Sequence, residues 1–463
     1  MPLMNWGKLL NTKRVRPSGT KDSRNAFDKD YDRVITSSSV RRLQDKAQVY
    51  PLQENDFIRT RLTHSLEVAA LARSMGKNVG KKLVKARKMR KKDVESLASL
   101  LEVAGLLHDL GNPPFGHAGE TIIQNWFDKK KDEILQKVSN DKDVEKCIED
   151  YKKFDGNAQT IRILSRLQSL KKKGGMNLTF GTLATLVKYP NSGQNKKAFF
   201  ESEKGIMNSV FQAVGMRSAN GIKRHPATYI LEAADDIAYL FADLEDTVKK
   251  GYLPWYKVKP QLCKLAKKSP AFAGLQQEIS SVSKDWRNSP TYHLDPNEIK
   301  VREVMALRVF CQGRCVELAC NEFIRRYKEI IEGSFPSVGS EYIALLDEPV
   351  NKKFLEKVRS ICQDYAYHNK EVLSLELIGR EVLRNLLEQF VFAAIHPSFN
   401  KKKTPFGKLY ALISENFKYT QDFTTKREIS SEAKIRLVVD FISCMTDSYA
   451  LRLHKMLSGM ILP

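Results

Sequence analysis

Apolar residues recur at helical spacing along most of this chain, and the elements they outline are nearly all helices. The segment "THSLEVAALARSM" (63–75) sets Leu66, Ala69, Ala70 and Met75 near one face, behind a candidate N-cap at Thr63. "DVESLASLLEVAGLLHDLG" (93–111) is apolar almost all round, which predicts a buried central helix ended by Gly111 and Pro113. "ATYILEAADDIAYLFADLEDTVKK" (227–250) carries an apolar stripe at Ile230, Ala234, Ile237, Phe241, Leu244 and Val248. Further helices are expected over 303–333, broken near Gly313, and over 377–395 and 435–457. Strand alternation is scarce, and "MNLTFGTLATLV" (176–187) is its best instance. Loops are expected at 188–205, 251–300 and 396–407, and the fold class is all-α.

Composition narrows the setting. A chain of 463 residues with 42% hydrophobic content can bury a sizeable core, which excludes wholesale disorder. It contains no 18-residue apolar stretch, and "MNWGKLLNTKRVRP" near the N-terminus lacks the apolar region of a secretory signal. No membrane association is expected. The seven cysteines include no Cys-x-x-Cys pair and suit reduced, buried thiols in a cytoplasm.

Charge points to the partners. The chain has 77 Lys and Arg against 54 Asp and Glu, a formal +23, and such a field favours polyanions. Between Lys77 and Lys92 stand nine basic residues and no acid. That run reads either as a solvated loop between helices or as a contact surface for a phosphate backbone.

The chemistry concentrates in "GLLHDLGNPPFGHAGE" (105–120). An aspartate at the end of a buried helix is costly to desolvate unless a cation or hydrogen bonds pair it. Adjacent side chains diverge by about 100° on a helix, so His108 and Asp109 grip one ion together only where the helix is ending. Gly111 and the Pro113–Pro114 turn supply that ending. His64 offers a second imidazole, and "EAADDIAY" offers two carboxylates, Asp235 and Asp236, between which helix geometry does not choose.

The pattern His64 … His108-Asp109 … Asp235 resembles the H…HD…D signature of HD-domain metal-dependent phosphohydrolases. The segments "RRLQDKAQVYPL", "RTRLTHSLEV", "GLLHDLGNPPFGHAGE", "FDGNAQTIRIL", "LVKYP", "RHPATYILEAADDIAYLFADLED" and "DFISCMTDSYA" narrow the resemblance to the bacterial deoxyguanosine triphosphate triphosphohydrolases, the dGTPases. The resemblance runs over nearly the whole chain, and Cys444 stands where that family usually carries glycine. It implies an HD-domain helical core with additional C-terminal helices. The expected division is 1–58 as an N-terminal segment with a base-recognition motif, 59–250 as catalytic core, and 251–463 as a C-terminal helical region at subunit interfaces.

By that resemblance His64, His108, Asp109 and Asp235 bind a divalent metal, Mg2+ or Mn2+ with Fe2+ as a further candidate. Register with the family selects Asp235, four residues before Tyr239. His117 and Glu120 form an i, i+3 pair on a helix starting near His117. Such a pair is ordinarily a surface contact, but beside this turn it reads as a catalytic dyad in which the carboxylate orients the imidazole and raises its basicity. Arg61 and Lys188 match phosphate-binding positions, Tyr239 the residue against the sugar, Asp243 and Asn157 further pocket positions, and Gln48 the reader of the base edge.

The implied reaction releases a deoxynucleoside and intact triphosphate from a deoxynucleoside triphosphate, with dGTP favoured. A related phosphohydrolase acting on other deoxynucleotides and a non-catalytic nucleic-acid-binding protein are the competing readings. The resemblance also implies a homo-oligomer, commonly a hexamer, with single-stranded DNA as a candidate regulator. The run 77–92 and the Lys triplets at 171–173 and 401–403 contain no aromatic residue for base stacking. Binding there would be backbone electrostatics, steeply reduced by salt.

Overall fold

The computed structural model describes residues 3–17, 23–50, 52, 57–168, 175–190, 197–219, 221–287, 296–335, 345–346, 349–399, 401–420 and 429–462. Among these the chain is helical throughout, apart from a two-stranded antiparallel ribbon pairing Arg217–Ser218 with Gly221–Ile222. The all-α expectation holds.

Two helices form the centre, Arg61–Lys85 and Asp93–Leu107. The approach is close enough that a Cβ on Gly105 would lie 2.6 Å from Ala69 Cα, and one on Gly76 would lie 2.7 Å from a Leu101 methyl. Position 69 faces 105, and 76 faces 98 and 101, so the pair is antiparallel. Val68, Ala72, Met75, Val79 and Leu83 from one helix meet Leu97, Leu100, Leu101 and Ala104 from the other, all buried.

The buried stripe of the first helix is rotated from the one expected. Leu66 is 43% exposed and Ala70 also faces solvent, while Ala69 and Met75 are buried. The helix starts earlier than foreseen: Thr60 is the N-cap, and Thr63 is its reciprocal partner in a capping box. The stripe therefore descends from Arg61 and His64 through Val68, Ala72 and Met75.

The basic run is not wholly a loop, as one reading had it. Lys77, Lys81, Lys82 and Lys85 ride on the last turns of the Arg61–Lys85 helix, where positive charge complements the macrodipole. The connection to the next helix is short, and Arg90 bonds Asp93 in that helix's first turn. The triplet 171–173 lies outside the described residues; 401–403 is exposed.

Other boundaries also moved. The segment 176–187, the best instance of strand alternation, holds a short helix instead, Phe180–Thr185, which Thr179 caps while pairing with Arg14 only in an isolated bridge. Thr179 accepts from Thr182 N, and Asp30 Oδ2 accepts from Thr179 N at 2.9 Å and from both threonine hydroxyls. Pro296–Arg325 runs unbroken through Gly313 and breaks at Arg326. The 435–457 segment divides into Ser431–Ser443 and Asp447–Leu457, with Thr446 capping the second. Much of the expected loop 251–300 is helix, Trp255–Ala266 and Leu275–Arg287.

C-terminal helices complete the core, which runs without interruption from Met4 to Leu453. Lys370–Ile395 packs on Gly116–Lys137, where Trp126 Nε1 donates to Glu388 at 3.0 Å. Asp440 of Ser431–Ser443 receives Arg162 through Nε at 2.6 Å and Nη2 at 2.7 Å, a fully buried bidentate pair.

The helix Pro226–Lys249 brings in the acidic segment, and its start is fixed by a buried histidine. His225 Nδ1 accepts from Ala227 N at 3.1 Å, and Nε2 donates to Leu9 O at 3.2 Å. Burial lowers the His225 pKa to about 4, so the folded chain holds the neutral ring. The unfolded chain, titrating near 6.5, binds the proton more readily. This contribution is thus present above about pH 6.5 and lost as pH falls toward 4, on the order of 3 kcal/mol in full. We expect His225→Asn, which keeps a capping acceptor but gains no proton, to flatten the acid limb of stability. Urea midpoints at pH 7 and pH 5 check this; equal losses in variant and parent would refute it.

Candidate active site

Three helices converge on one cluster. His64 stands in the first turn of Arg61–Lys85, His108 caps the end of Asp93–Leu107 with Asp109 following, and Asp235 lies midway along Pro226–Lys249. His64, His108 and Asp109 have ligand atoms within 4.8 Å of one another. Asp235 Oδ1 sits between the two imidazoles, 3.1 Å from His64 Nε2 and 3.3 Å from His108 Nε2. His108 Nδ1 donates to Gly105 O at 2.7 Å, so in the neutral ring Nε2 carries the lone pair. That Nε2 is buried without a hydrogen-bond partner and faces the carboxylates. Two imidazole nitrogens and two carboxylates are a donor set that fits a divalent cation.

Charge distinguishes the adjacent aspartates. Burial works against ionisation of Asp235, but His108, His64 and Lys188 outweigh it and hold the carboxyl well below its usual range. Asp109 behaves alike: His108 and Arg61 overcome burial and bring it down to about 2. Asp236 goes the other way, raised to about 8 by burial and by its neighbours Asp235 and Glu232. The side chain that faces the imidazoles is the ionised one.

The turn after Asp109 is tightly determined. A Cβ on Gly111 would lie 2.2 Å from both Gly156 O and Thr160 N, so only glycine fits where Gly156–Arg162 crosses it. Asn112 Nδ2 donates to Asp109 Oδ1 at 2.9 Å, a second hold on that carboxylate. Phe115 follows the two prolines in a left-handed conformation, φ 63°, that costs a bulky residue roughly 1–2 kcal/mol. Its ring packs on Gly379, where a Cβ would come within 2.6 Å.

That conformation starts the helix Gly116–Lys137 and presents His117 with a 91% exposed side chain. His117 Nδ1 donates to Glu120 Oε2 at 2.8 Å, leaving the lone pair on Nε2. Glu120 is itself held: its Oε1 accepts from Gly156 N at 2.6 Å. The expected dyad is assembled, with its carboxylate fixed by a third element.

The remaining residues expected here are placed as follows. Arg61 Nη1 bonds Asp109 Oδ2, and Lys188 Nζ lies 3.5 Å from Asp235 Oδ2, so both cations adjoin carboxylates of the cluster. Asn157 stands beside the dyad's support, its amide donated to Asp155 at 2.8 Å. Asp243, raised to about 7 by burial, accepts from the Tyr367 hydroxyl. Tyr239, above Asp235 on the same helix, is pushed up by burial and by Asp236 and hydrogen-bonds Arg359. Gln48 keeps a buried Oε1 with no hydrogen-bond partner.

Sequence reasoning passed over Lys46, Arg359, Tyr367 and Asp447. Asp447 lay inside a motif that had been noticed, but an acid in the first turn of a helix reads as dipole compensation. Tyr367 and Arg359 carry no local signal, because their partners come from a helix far away in sequence.

Comparison with known proteins identifies the family. The HD domain family matches residues 61–176 and the phosphohydrolase-associated domain residues 393–456. A deoxyguanosinetriphosphate triphosphohydrolase-like protein of Listeria monocytogenes is 35% identical, covering 99% of this chain and all of its own. One from Synechocystis is 32% identical with the same coverage. A deoxyguanosinetriphosphate triphosphohydrolase of Yersinia pseudotuberculosis is 29% identical over 94% of each chain.

The cluster makes a clear prediction. Asp235→Ala removes the carboxylate between the two imidazoles and should abolish bound metal, whereas Asp236→Ala should retain it. Metal content of the purified variants, read by elemental analysis, decides; retention by Asp235→Ala with loss by Asp236→Ala would reverse the assignment.

Proposed function

Because the chain belongs to the HD-domain family of deoxyguanosinetriphosphate triphosphohydrolase-like proteins, we propose that it hydrolyses deoxynucleoside triphosphates, dGTP first, to the deoxynucleoside and inorganic triphosphate. The observation that carries this reading is one continuous segment. His108 and Asp109 of the metal-competent cluster stand at its start, and the His117–Glu120 dyad stands at its end.

His64, His108, Asp109 and Asp235 would hold a divalent cation, Mg2+ or Mn2+. When bound, such a cation stabilises charge on the α-phosphate and eases ionisation of water. The protein's own part begins with charge: Arg61 and Lys188 neutralise the triphosphate. His117, oriented by Glu120, moves a proton at Nε2. In its imidazolium form His117 donates the Nε2 proton to O5′ as water adds at the α-phosphorus and the bond to O5′ breaks; the attacking water gives up one proton to solvent, and the triphosphate leaves intact. Tyr239 packs against the sugar, with Asp243 and Tyr367 forming the wall beyond. The buried Oε1 of Gln48 lacks a donor, a deficit of about 1–3 kcal/mol that N–H groups on a guanine edge would satisfy.

Two measurements test the proposal. Incubation with each of the four deoxynucleoside triphosphates and Mg2+ or Mn2+ should consume dGTP fastest and yield triphosphate, resolved by anion exchange; orthophosphate or pyrophosphate as product would refute it. His117→Ala should lower kcat by roughly two to four orders of magnitude with metal content unchanged. Near-normal turnover would remove the dyad from the chemistry.

A further inference from the structure

The turn Asn112–Phe115 contains two prolines, which contribute no N–H. It has a peptide group at each end whose partner comes from elsewhere in the chain. The Asn112 carbonyl accepts from Lys46 Nζ at 2.5 Å, and the Phe115 N–H donates to Asp447 Oδ1 at 2.9 Å. Each of these buried side chains makes a second bond. Lys46 Nζ also donates to Ser443 O at 3.1 Å, and Asp447 Oδ2 accepts from Ala47 N at 2.9 Å. Lys46 is 3% exposed and Asp447 2%.

The pattern is reciprocal. A cation from the N-terminal segment reaches the turn and the C-terminal helices, and an anion from the C-terminal helices reaches the turn and the N-terminal segment. The bonded peptide groups lie next to the chemistry. Asn112 is the residue that holds Asp109, Phe115 stands two residues before His117, and Ala47 immediately precedes Gln48. Ala47 also pairs with Thr60 in an isolated bridge, and Arg61 N donates to Lys46 O at 2.9 Å.

We infer that Asp447 is a positioning residue: its two carboxylate oxygens set the catalytic turn and the nucleotide-facing segment relative to each other, with Lys46 as its counterpart. A carboxylate suits this place because both groups facing it are donors. An asparagine there would offer one oxygen and one N–H2, leaving either Ala47 N–H or Phe115 N–H opposed by a donor. The left-handed Phe115 backbone persists only where its surroundings over-determine it, and this bond is one of its restraints. Misplacement of a reacting group by about 1 Å is enough to cost about 100-fold in rate.

The inference rests on the reaction proposed above, and the test separates the two by reading structure and turnover independently. In Asp447→Asn, hydrogen–deuterium exchange should rise in peptides covering 44–50 and 110–118, while the central helix 97–107 stays protected. Metal content should remain at the parental level, and kcat for dGTP should fall about 10- to 100-fold with KM changed far less. Lys46→Met, which releases the other end of the turn, should raise exchange in 110–118 in the same way. It carries the test should the first variant fail to fold. Unchanged exchange in both peptides would overturn the bridge. Raised exchange with parental kcat would overturn its role in positioning, and exchange rising throughout the chain or loss of metal would make Asp447 a stability residue only. Absence of triphosphate release from the parent protein would instead overturn the reaction, while the exchange pattern would still report the bridge.

Discussion

Two carboxylates, Asp109 and Asp235, remain ionised in a place largely withdrawn from water, and much of the structure follows from meeting that charge. Arg61 comes from the first turn of one helix and Lys188 from the segment after another, and both are largely buried where they meet the carboxylates. The two imidazoles are oriented at the same point, one of them by the carbonyl of Gly105 at the closing turn of the central helix. One residue along the chain the balance reverses. At Asp236 burial, Asp235 and Glu232 outweigh the more weakly acting Arg359 and Lys188, and the carboxyl is raised to about 8. Adjacent positions on one helix face directions about 100° apart, enough to put one in a cationic field and the other in an anionic one.

A site of this kind needs elements that do not relax. The close helix approach at Gly105, the glycine-only crossing at Gly111 and the Phe115 ring against Gly379 leave little room for adjustment. Polar restraints operate alongside the packing. Glu120 is held by Gly156 N, Asp440 by Arg162 and Gln159, and Asp30 by three donors of the Thr179–Thr182 cap. Each ties together segments that are distant in sequence, so the exposed imidazole of His117 stands on a rigid base.

What could be read from the sequence depended on range. The stripe Ile230, Ala234, Ile237, Phe241, Leu244 and Val248 is buried as its period indicated, because one helix packed on a core leaves that signature locally. The histidine–aspartate cluster and the His117–Glu120 pair were visible because each consists of chemistry-bearing residues at short spacing or in a recognisable motif. Leu66 and Ala70 fall on the solvent side because a window of three to four turns contains more than one apolar stripe, and tertiary packing selects among them. Gly313 reads as a breaker, yet a long helix packed along its length absorbs the cost of one glycine. The segment 176–187 offers the best strand alternation in the chain, while the partner that turns its threonine hydroxyls into a cap, Asp30, lies about 150 residues away. Lys46 and Tyr367 were illegible for the same reason: an isolated lysine or tyrosine has no pattern until its partner is known.

The bond from Phe115 to Asp447 has a temporal side. A chain emerging from the ribosome folds from its N-terminus, and the central helices together with His64, His108, Asp109 and Asp235 are available long before the last helix has been made. The backbone amide that sets the left-handed turn has no acceptor until residue 447 is synthesised and docked. The cluster and the bond that restrains the turn beside it are thereby made at different times. A truncated chain that stops before residue 447 holds all four residues of the cluster but not the acceptor for the Phe115 amide.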